Sequence, residues 1–369
     1  MDELLSQGLL GQGKALDTLY HFYRSDRIPH ALLFSGPEGV GKHLAAKNFL
    51  KLLNSNLSSE KITKIYSQID SFEEPAVKFV LPLPRGKGET NTDSPVGKLT
   101  KTQIEEIASQ IHKKAQDPYF RISIPNANTI KINSIRDINK FISLYGNSEE
   151  YKAIIISNAH LMNVESQNAL LKNLEEPPPK IIFILITDQP NRLLETIRSR
   201  SWVVNFLPLG EELVERILEK NYNLEPFEAR NLAVLSGGSV TKALQLRELN
   251  LEENIDSVIT ILRYSLGRRY ATALKEFNKS VSNDSEPFLL LLSLILYWFA
   301  DTVSHKNFGR IKYFAKHSET IQKFNQRFSG TNISEIIDTI NNYILLRDKN
   351  ISLNVLIMNV IFELAKISI

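Results

Sequence analysis

No cysteine occurs in the 369 residues, so disulfides, thiolate zinc sites and cysteine nucleophiles are all excluded. An excess of one charge is missing too. Lys and Arg number 44 against 41 Asp and Glu, and the net charge of +3 is too small to argue for nucleic acid by itself. Dense clusters of lysine and arginine are absent, and Arg268-Arg269 and the stretch from Arg85 to Lys87 read as solvated charge. Long apolar runs are also lacking. Phe288 to Ala300, behind Pro287, is thirteen residues, short of the roughly 18–20 that cross a bilayer, so it reads as a buried helix. The start, Met1-Asp-Glu-Leu-Leu, lacks the basic-then-apolar layout of a signal peptide, and a cytoplasmic protein is expected. What remains, 43% hydrophobic and 23% charged, is the composition of a globular chain with room for two or three domains.

The most informative stretch is Ala31-Leu-Leu-Phe-Ser-Gly-Pro-Glu-Gly-Val-Gly-Lys-His43, followed by Leu44 to Leu50 at helical spacing. A strand-length apolar run, a glycine-rich turn and a helix make the context of a P-loop, and Gly36-x4-Gly41-Lys42 is its pattern. In such a loop the backbone N–H groups and a helix N-terminus surround phosphate oxygens, and the lysine adds a point charge. The residue after the lysine is a Ser or Thr in the full pattern, where its hydroxyl ligates Mg²⁺; here it is His43. Magnesium takes oxygen ligands at close range, and an imidazole is a poor substitute.

Along the rest of the chain, Leu16, Leu19, Tyr20 and Tyr23 mark one face of an early helix. Val77 to Pro84 is extended and, with two prolines, permits only an edge strand. Arg85 to Pro95 has turn formers and charge without apolar period and is expected to be a mobile loop. Thr102 to Gln116 carries Ile104, Ile107, Ala108 and Ile111 at helical spacing. Strands are expected at Phe120–Ile124, Lys152–Ser157, Ile181–Thr187 and Trp202–Phe206, with helices between them. Alternation of this kind gives an α/β fold, a parallel five-stranded sheet covered by helices on both faces, with the phosphate site at the carboxyl ends of the strands. No strand is expected beyond Leu209. The domain reading is 1–207 for the P-loop domain with an insertion at about 54–116, 208–250 for a small helical module, and 251–369 for an all-α domain.

The chemistry of hydrolysis is underequipped. A P-loop ATPase needs an acidic residue at the end of a neighbouring strand to orient Mg²⁺. Ala153-Ile-Ile-Ile156 runs instead into Ser157-Asn158-Ala159-His160, with no carboxylate. Asn158 can hydrogen-bond a water but is not a base at pH 7. His30, His43 and His160 fit no metal-ligand spacing, and no metal site is expected.

Asn168-Ala-Leu-Leu-Lys-Asn-Leu-Glu-Glu-Pro-Pro178, Phe183-Ile-Leu-Ile-Thr187 and Leu193-Leu-Glu-Thr-Ile-Arg-Ser-Arg-Ser201 closely resemble segments of the clamp-loader family of AAA+ proteins. Gly11-Gln12, Arg27-Ile-Pro-His30 and Ser236-Gly-Gly-Ser-Val-Thr-Lys-Ala-Leu244 fit the same family. The resemblance is specific over 8–50 and 120–250 and general in the C-terminal third. It implies an AAA+ domain, a helical lid and a C-terminal collar that joins a ring of subunits. Position by position, Gly36, Gly39, Gly41 and Lys42 match the phosphate loop, with His43 in the hydroxyl's place. Thr187 matches a phosphate sensor, although a plain strand-end cap accounts for it equally well. Arg200 matches the arginine finger that enters the ATP site of an adjacent subunit, the plainer alternative being a surface arginine. Thr241 stands where motor subunits have a second sensor arginine. His43, Ser157, Asn158 and Thr241 each remove part of the chain's own ATPase, while Arg200 is kept. The family's zinc-module cysteines are missing, so 54–116 has to be held by packing.

The resemblance thus implies a stator that hydrolyses nothing itself and helps load a sliding clamp on primed DNA. It requires no cofactor, and ATP or ADP held without hydrolysis stays open. Implied partners are other clamp-loader subunits of the gamma/tau and delta types, with the sliding clamp and primer–template DNA reached through the complex. The first alternative is an active motor subunit of the gamma/tau type. A P-loop enzyme phosphorylating a small molecule would need an acceptor pocket and a base, and a stand-alone DNA-binding protein a basic stripe.

Overall fold

The computed structural model describes residues 3–145, 148–281, 285–345 and 352–367. They fall into two compact units, Met1–Ala233 with Gly237–Lys242, and Val234–Ser236 with Ala243–Ile369.

The first unit is built on five strands, β1 (Ala31–Ser35), β2 (Val77–Val80), β3 (Lys152–Ile156), β4 (Ile181–Thr187) and β5 (Trp202–Asn205), in the order β2-β3-β4-β1-β5. Every pairing is parallel, with Leu33 opposite Leu185 and Val203, and Ile154 opposite Phe183. All residues of β3 and β4 are buried. That is why they read as unbroken apolar runs: strands covered on both faces do not alternate. The covering helices are α1 (Glu3–Ser6), α2 (Gly13–Arg24), α3 (Lys42–Leu53), α4 (Ser59–Ser71), α5 (Lys101–Gln116), α6 (Ile132–Tyr145), α7 (Val164–Glu175) and α8 (Glu195–Ser199). Next come α9 (Glu211–Tyr222), α10 (Pro226–Leu235) and α11 (Val240–Glu248), the last belonging to the second unit from Ala243 on. This is an α/β fold with a parallel five-stranded sheet and a P-loop between β1 and α3. Local chemistry sets several helix starts. Thr100 and Gln103 form a reciprocal capping box on α5, and the Asn163 side chain accepts the Ser166 N–H at 2.8 Å at the start of α7.

Two expectations need correction. Phe120–Ile124 is not a strand: the fifth place in the sheet belongs to β2, an edge strand that ends before Pro82 and Pro84. The polar groups of 120–124 turn back to α5 instead. Lys114 Nζ donates to the Phe120 carbonyl at 2.7 Å, and Ser123 N–H donates to Gln110 Oε1 at 3.0 Å. Ile122 and Ile124 pack on a small cluster of Leu81, Leu83, Leu99 and Ile107. A two-residue apolar period identifies one buried face, but not a ladder partner.

Nor is Arg85–Pro95 a loop without fixed contacts. Glu89 is buried and accepts from Lys131 Nζ at 2.8 Å, Asn133 Nδ2 at 2.6 Å and the Gly86 N–H at 2.8 Å. Lys131 also donates to the carbonyls of Pro84 and Pro95, closing the loop at both ends. Burial alone would raise the Glu89 pKa, but the hydrogen bonds from Lys131, Gly86 and Asn133 outweigh it and hold the carboxyl below its ordinary range.

The second unit is helical: α12 (Leu251–Leu266), α13 (Tyr270–Val281), α14 (Ser285–Phe308), α15 (Ser318–Arg327), α16 (Ile333–Leu345) and α17 (Leu353–Ala365). By length and composition α14 could cross a membrane, yet more than half of its apolar window is buried inside the unit. Leu291, Leu292, Leu294, Ile295, Trp298 and Phe299 make it the core helix, and the polar end beyond Ala300 extends it past the apolar run. Its Asp301 accepts the N–H groups of Lys312, Tyr313 and Phe314 at 2.7–2.8 Å, fixing the turn that follows.

The Glu89 cluster gives a direct test. Removing one partner of a buried charge pair costs about 3–5 kcal/mol, far more than a surface loop can absorb. Trypsin is expected to cut wild type slowly, and Glu89→Ala much faster, at Arg85, Lys87 or Lys98; equal rates would show that the cluster does not order the loop.

Candidate functional site

The phosphate-loop residues lie at the carboxyl edge of the sheet. Gly36 follows β1, and its N–H donates to the carbonyl of Thr187, the last residue of β4, at 3.1 Å. Two of the glycines are required by close approach as well as by conformation. At Gly36 (φ +151°) a Cβ would stand 2.1 Å from the Phe206 carbonyl oxygen. At Gly39 (φ +73°) it would stand 2.5 Å from Ser239 Oγ and 2.6 Å from the Thr241 nitrogen. Lys42 opens α3 and arches back, its Nζ donating to the carbonyls of Gly36 and Pro37. Burial lowers its pKa to about 8, against the opposing pull of Asp188 and Glu38.

At the place where magnesium-dependent P-loop proteins put a hydroxyl and a carboxylate, this chain pairs His43 Nε2 with Ser157 Oγ at 2.9 Å. The imidazole lies edge-on to Phe72 and Phe79, whose rings stack at 4.5 Å. Lys42, Lys47 and Lys114, all buried, surround it. Burial first, and then these three cations, hold the His43 pKa well below its ordinary value, so the ring is neutral at pH 7. The pair at these two positions does not fit Mg²⁺: a hydroxyl and a neutral imidazole stand where the metal is held by a hydroxyl and a carboxylate, with three buried ammonium groups beside them. Among the described residues there is no group of three or more His, Asp or Glu able to hold a metal.

Thr187 is buried beside the loop. Its Oγ1 accepts the Gln189 N–H at 2.9 Å and lies 3.0 Å from His160 Nδ1, which also approaches Asp188 Oδ1 at 3.3 Å. That is the geometry of a strand-end cap, placed next to the phosphate loop. Thr241, at the start of α11, donates its hydroxyl to the Tyr119 carbonyl at 2.5 Å, and the neighbouring Val240 N–H donates to Gly39 O at 3.1 Å.

Gly36, Gly39, Gly41, Lys42, His43 and Thr187 are thus gathered at one edge, and Arg200 is not among them. It follows α8 and precedes β5, whose Trp202 pairs with Leu32 at the start of β1 and whose Asn205 pairs with Ser35 at its end. Parallel strands put Arg200 at the amino edge, about five residues or roughly 16 Å along the sheet from Gly36. It cannot serve its own phosphate loop.

A sequence model of the family described as "DNA polymerase III, delta subunit" matches residues 11–210, more than half of the chain. The chain belongs to this family. DNA polymerase III subunit delta' of Bacillus subtilis (strain 168) is 30% identical over 236 residues, 64% of this chain and 59% of that protein. DNA polymerase III subunit tau of the same organism is 24% identical over 360 residues, 91% of this chain and 57% of that protein. The chain therefore spans less than three-fifths of the length of both relatives. Among solved structures, a DNA polymerase III gamma subunit-related protein of Thermotoga maritima is 16% identical, with 95% of this chain and 99% of that chain covered at a TM-score of 0.38.

Sequence reasoning missed Lys47 and Lys114, the cations that share the site of this family member with Lys42. Lys47 Nζ donates to the Ala115 carbonyl at 3.0 Å and lies 4.9 Å from the centre of the Phe72 ring. Lys114 donates to the carbonyls of Pro118 and Phe120. A signal existed: Ile104, Ile107, Ile111 and Lys114 follow one helical stripe, so a lysine stands at the next inward position.

The pH dependence follows from these cations. Burial lowers the Lys114 pKa from 10.5 to about 8, as it does for Lys42. Between pH 8 and 10.5 the unfolded chain binds more protons than the folded one, so the lysine's contribution to stability improves as pH rises; below 8 its full charge-burial cost is present. Urea unfolding of the first unit is expected to show wild type gaining on Lys114→Met by about 1 kcal/mol per pH unit from pH 8 to 9.5. Parallel profiles would contradict the buried cation.

Proposed function

We propose that this chain is a delta-prime-type subunit of a DNA polymerase III clamp loader, acting as a stator and not as a motor. The observation that carries this reading is the pairing of His43 with Ser157 at the magnesium position. One hydrogen bond occupies both groups that a motor uses to hold its metal. The position of Arg200 adds to it. An arginine at the amino edge of the sheet faces away from its own loop, so its service is to a second nucleotide site. There a guanidinium set against the transferred phosphate would stabilise the charge that develops on it, as trans-acting arginines do. Identity of 30% to a delta' subunit agrees with this assignment.

The stator's proposed partners are clamp-loader subunits of the gamma/tau and delta types, and through them the sliding clamp and primed DNA, in the cytoplasm. Lys42 and the loop amides supply charge and donors for ATP or ADP bound without hydrolysis, with Thr187 beside them. The second reading, a gamma/tau-type motor, is favoured by the tau relative, which aligns with 91% of this chain. It needs a metal-holding pair that positions 43 and 157 do not supply.

Two measurements separate the readings. The purified chain is expected to show no ATP turnover, and His43→Ser alone is expected not to restore it, because Ser157 still brings no carboxylate. Hydrolysis by either protein would favour the motor. In a reconstituted complex Arg200→Ala is expected to lower kcat for ATP by about 10³-fold or more with this chain's folding unchanged, and an unaltered rate would remove the trans-acting role.

A further inference from the structure

Arg200 is already engaged within its own chain. Its Nη2 lies 2.9 Å from Glu175 Oε1, and its Nη1 donates to the Thr196 carbonyl at 3.2 Å. Glu175 is the last residue of α7 and Arg200 the residue that closes α8, so the ion pair joins two helix C-termini. A carboxylate at a helix C-terminus opposes the helix dipole, whereas a cation there is favoured. Helix formation therefore gives no reason for the acid at 175, and the partner across the gap does.

We propose that Glu175 is a positioning residue for Arg200, a latch that holds the guanidinium folded against its own chain until a phosphate on a neighbouring subunit displaces it. This rests on the trans-acting reading of Arg200. A guanidinium is a planar fork that matches a carboxylate or a phosphate with the same N–H groups. If Glu175 stayed on that fork, it would carry negative charge toward the phosphate oxygens. The two acids compete for one cation, and the pair parts before phosphate is engaged.

Exposure sets the strength of the latch. The side chains are 38% and 51% exposed, so water and salt screen the pair. Exposed pairs of this kind bias an equilibrium by about two- to five-fold. That is enough to hold the arginine back in the absence of phosphate, and little enough for a multiply charged phosphate to overcome.

The test uses the assembled clamp-loader complex containing this chain as wild type, Glu175→Gln, Arg200→Ala or the double variant. The readouts are kcat and KM for ATP at low and high NaCl, with the thermal midpoint of each isolated chain. Glutamine keeps the shape and removes the charge. Glu175→Gln is expected to raise kcat about two- to five-fold at low salt, with KM and thermal midpoint unchanged. The gain is expected to vanish at high salt and in the Arg200→Ala background. A kcat at or below wild type in Glu175→Gln, beside a large loss in Arg200→Ala, overturns the latch and leaves the trans-acting reading standing. A gain that survives removal of Arg200 also overturns it, since Glu175 would then act elsewhere. An unchanged kcat in Arg200→Ala removes the trans-acting reading and the latch together.

Discussion

The hydrogen bond between His43 and Ser157 joins the first turn of α3 to the end of β3 at the point where a P-loop protein otherwise closes around its metal. It binds by a neutral donor and acceptor what is bound elsewhere through a dication and a carboxylate. Carboxylates outside that pair offset the neighbouring cations: Asp188 and Glu38 act on Lys42, Asp70 on Lys47, and Glu38 and Asp117 on Lys114. Buried ammonium groups persist only where their protons are accepted, and here backbone carbonyls are among the acceptors: Gly36 and Pro37 for Lys42, Ala115 for Lys47, Pro118 and Phe120 for Lys114. Burial nevertheless depresses the pKa values of all three lysines.

Topology then separates the phosphate loop from Arg200. In a parallel sheet every strand delivers its carboxyl end to the same edge, which gathers Gly36, Thr187 and Ser157. The same rule sends the residue before β5 to the far edge, where Arg200 sits. No adjustment of side-chain rotamers can exchange those ends, because a strand's length exceeds an arginine's reach. The trans-acting reading of Arg200 rests on this separation.

How far the sequence discloses this depends on the kind of constraint. The phosphate loop is legible because glycine is demanded by backbone geometry at Gly36 and Gly39, and such demands leave fixed spacings. The buried strands β3 and β4 are legible because both faces exclude water. Phe120–Ile124 is misread because its alternation reports a half-buried surface, and the groups that satisfy its backbone, Gln110 and Lys114, belong to a helix that precedes it. The 85–95 loop is misread because polarity looks like solvation until Glu89 is seen to pair with Lys131 and Asn133, more than forty positions away. The Glu175–Arg200 pair spans 25 positions and has no periodic signature at all.

The missing cysteines connect these observations. Without a zinc module, the segment between α3 and α6 is fixed by the apolar cluster around Leu81, Leu83, Leu99 and Ile107 and by the buried Glu89. Its far end returns to the phosphate loop. Lys47 on α3 donates to the Ala115 carbonyl on α5, Lys114 ties α5 to the 118–120 turn, and Tyr119 in that turn receives the Thr241 hydroxyl beside Gly39. The packing of the insertion therefore brings Lys114 to the site that Lys42 and Lys47 of α3 already share. Restoring a single ligand at position 43 changes the least of these constraints: the aromatic wall, the two added lysines and Ser157 all remain. The constraints on the site around position 43 are thus distributed over α3, β3 and the insertion, and one substitution does not remove them.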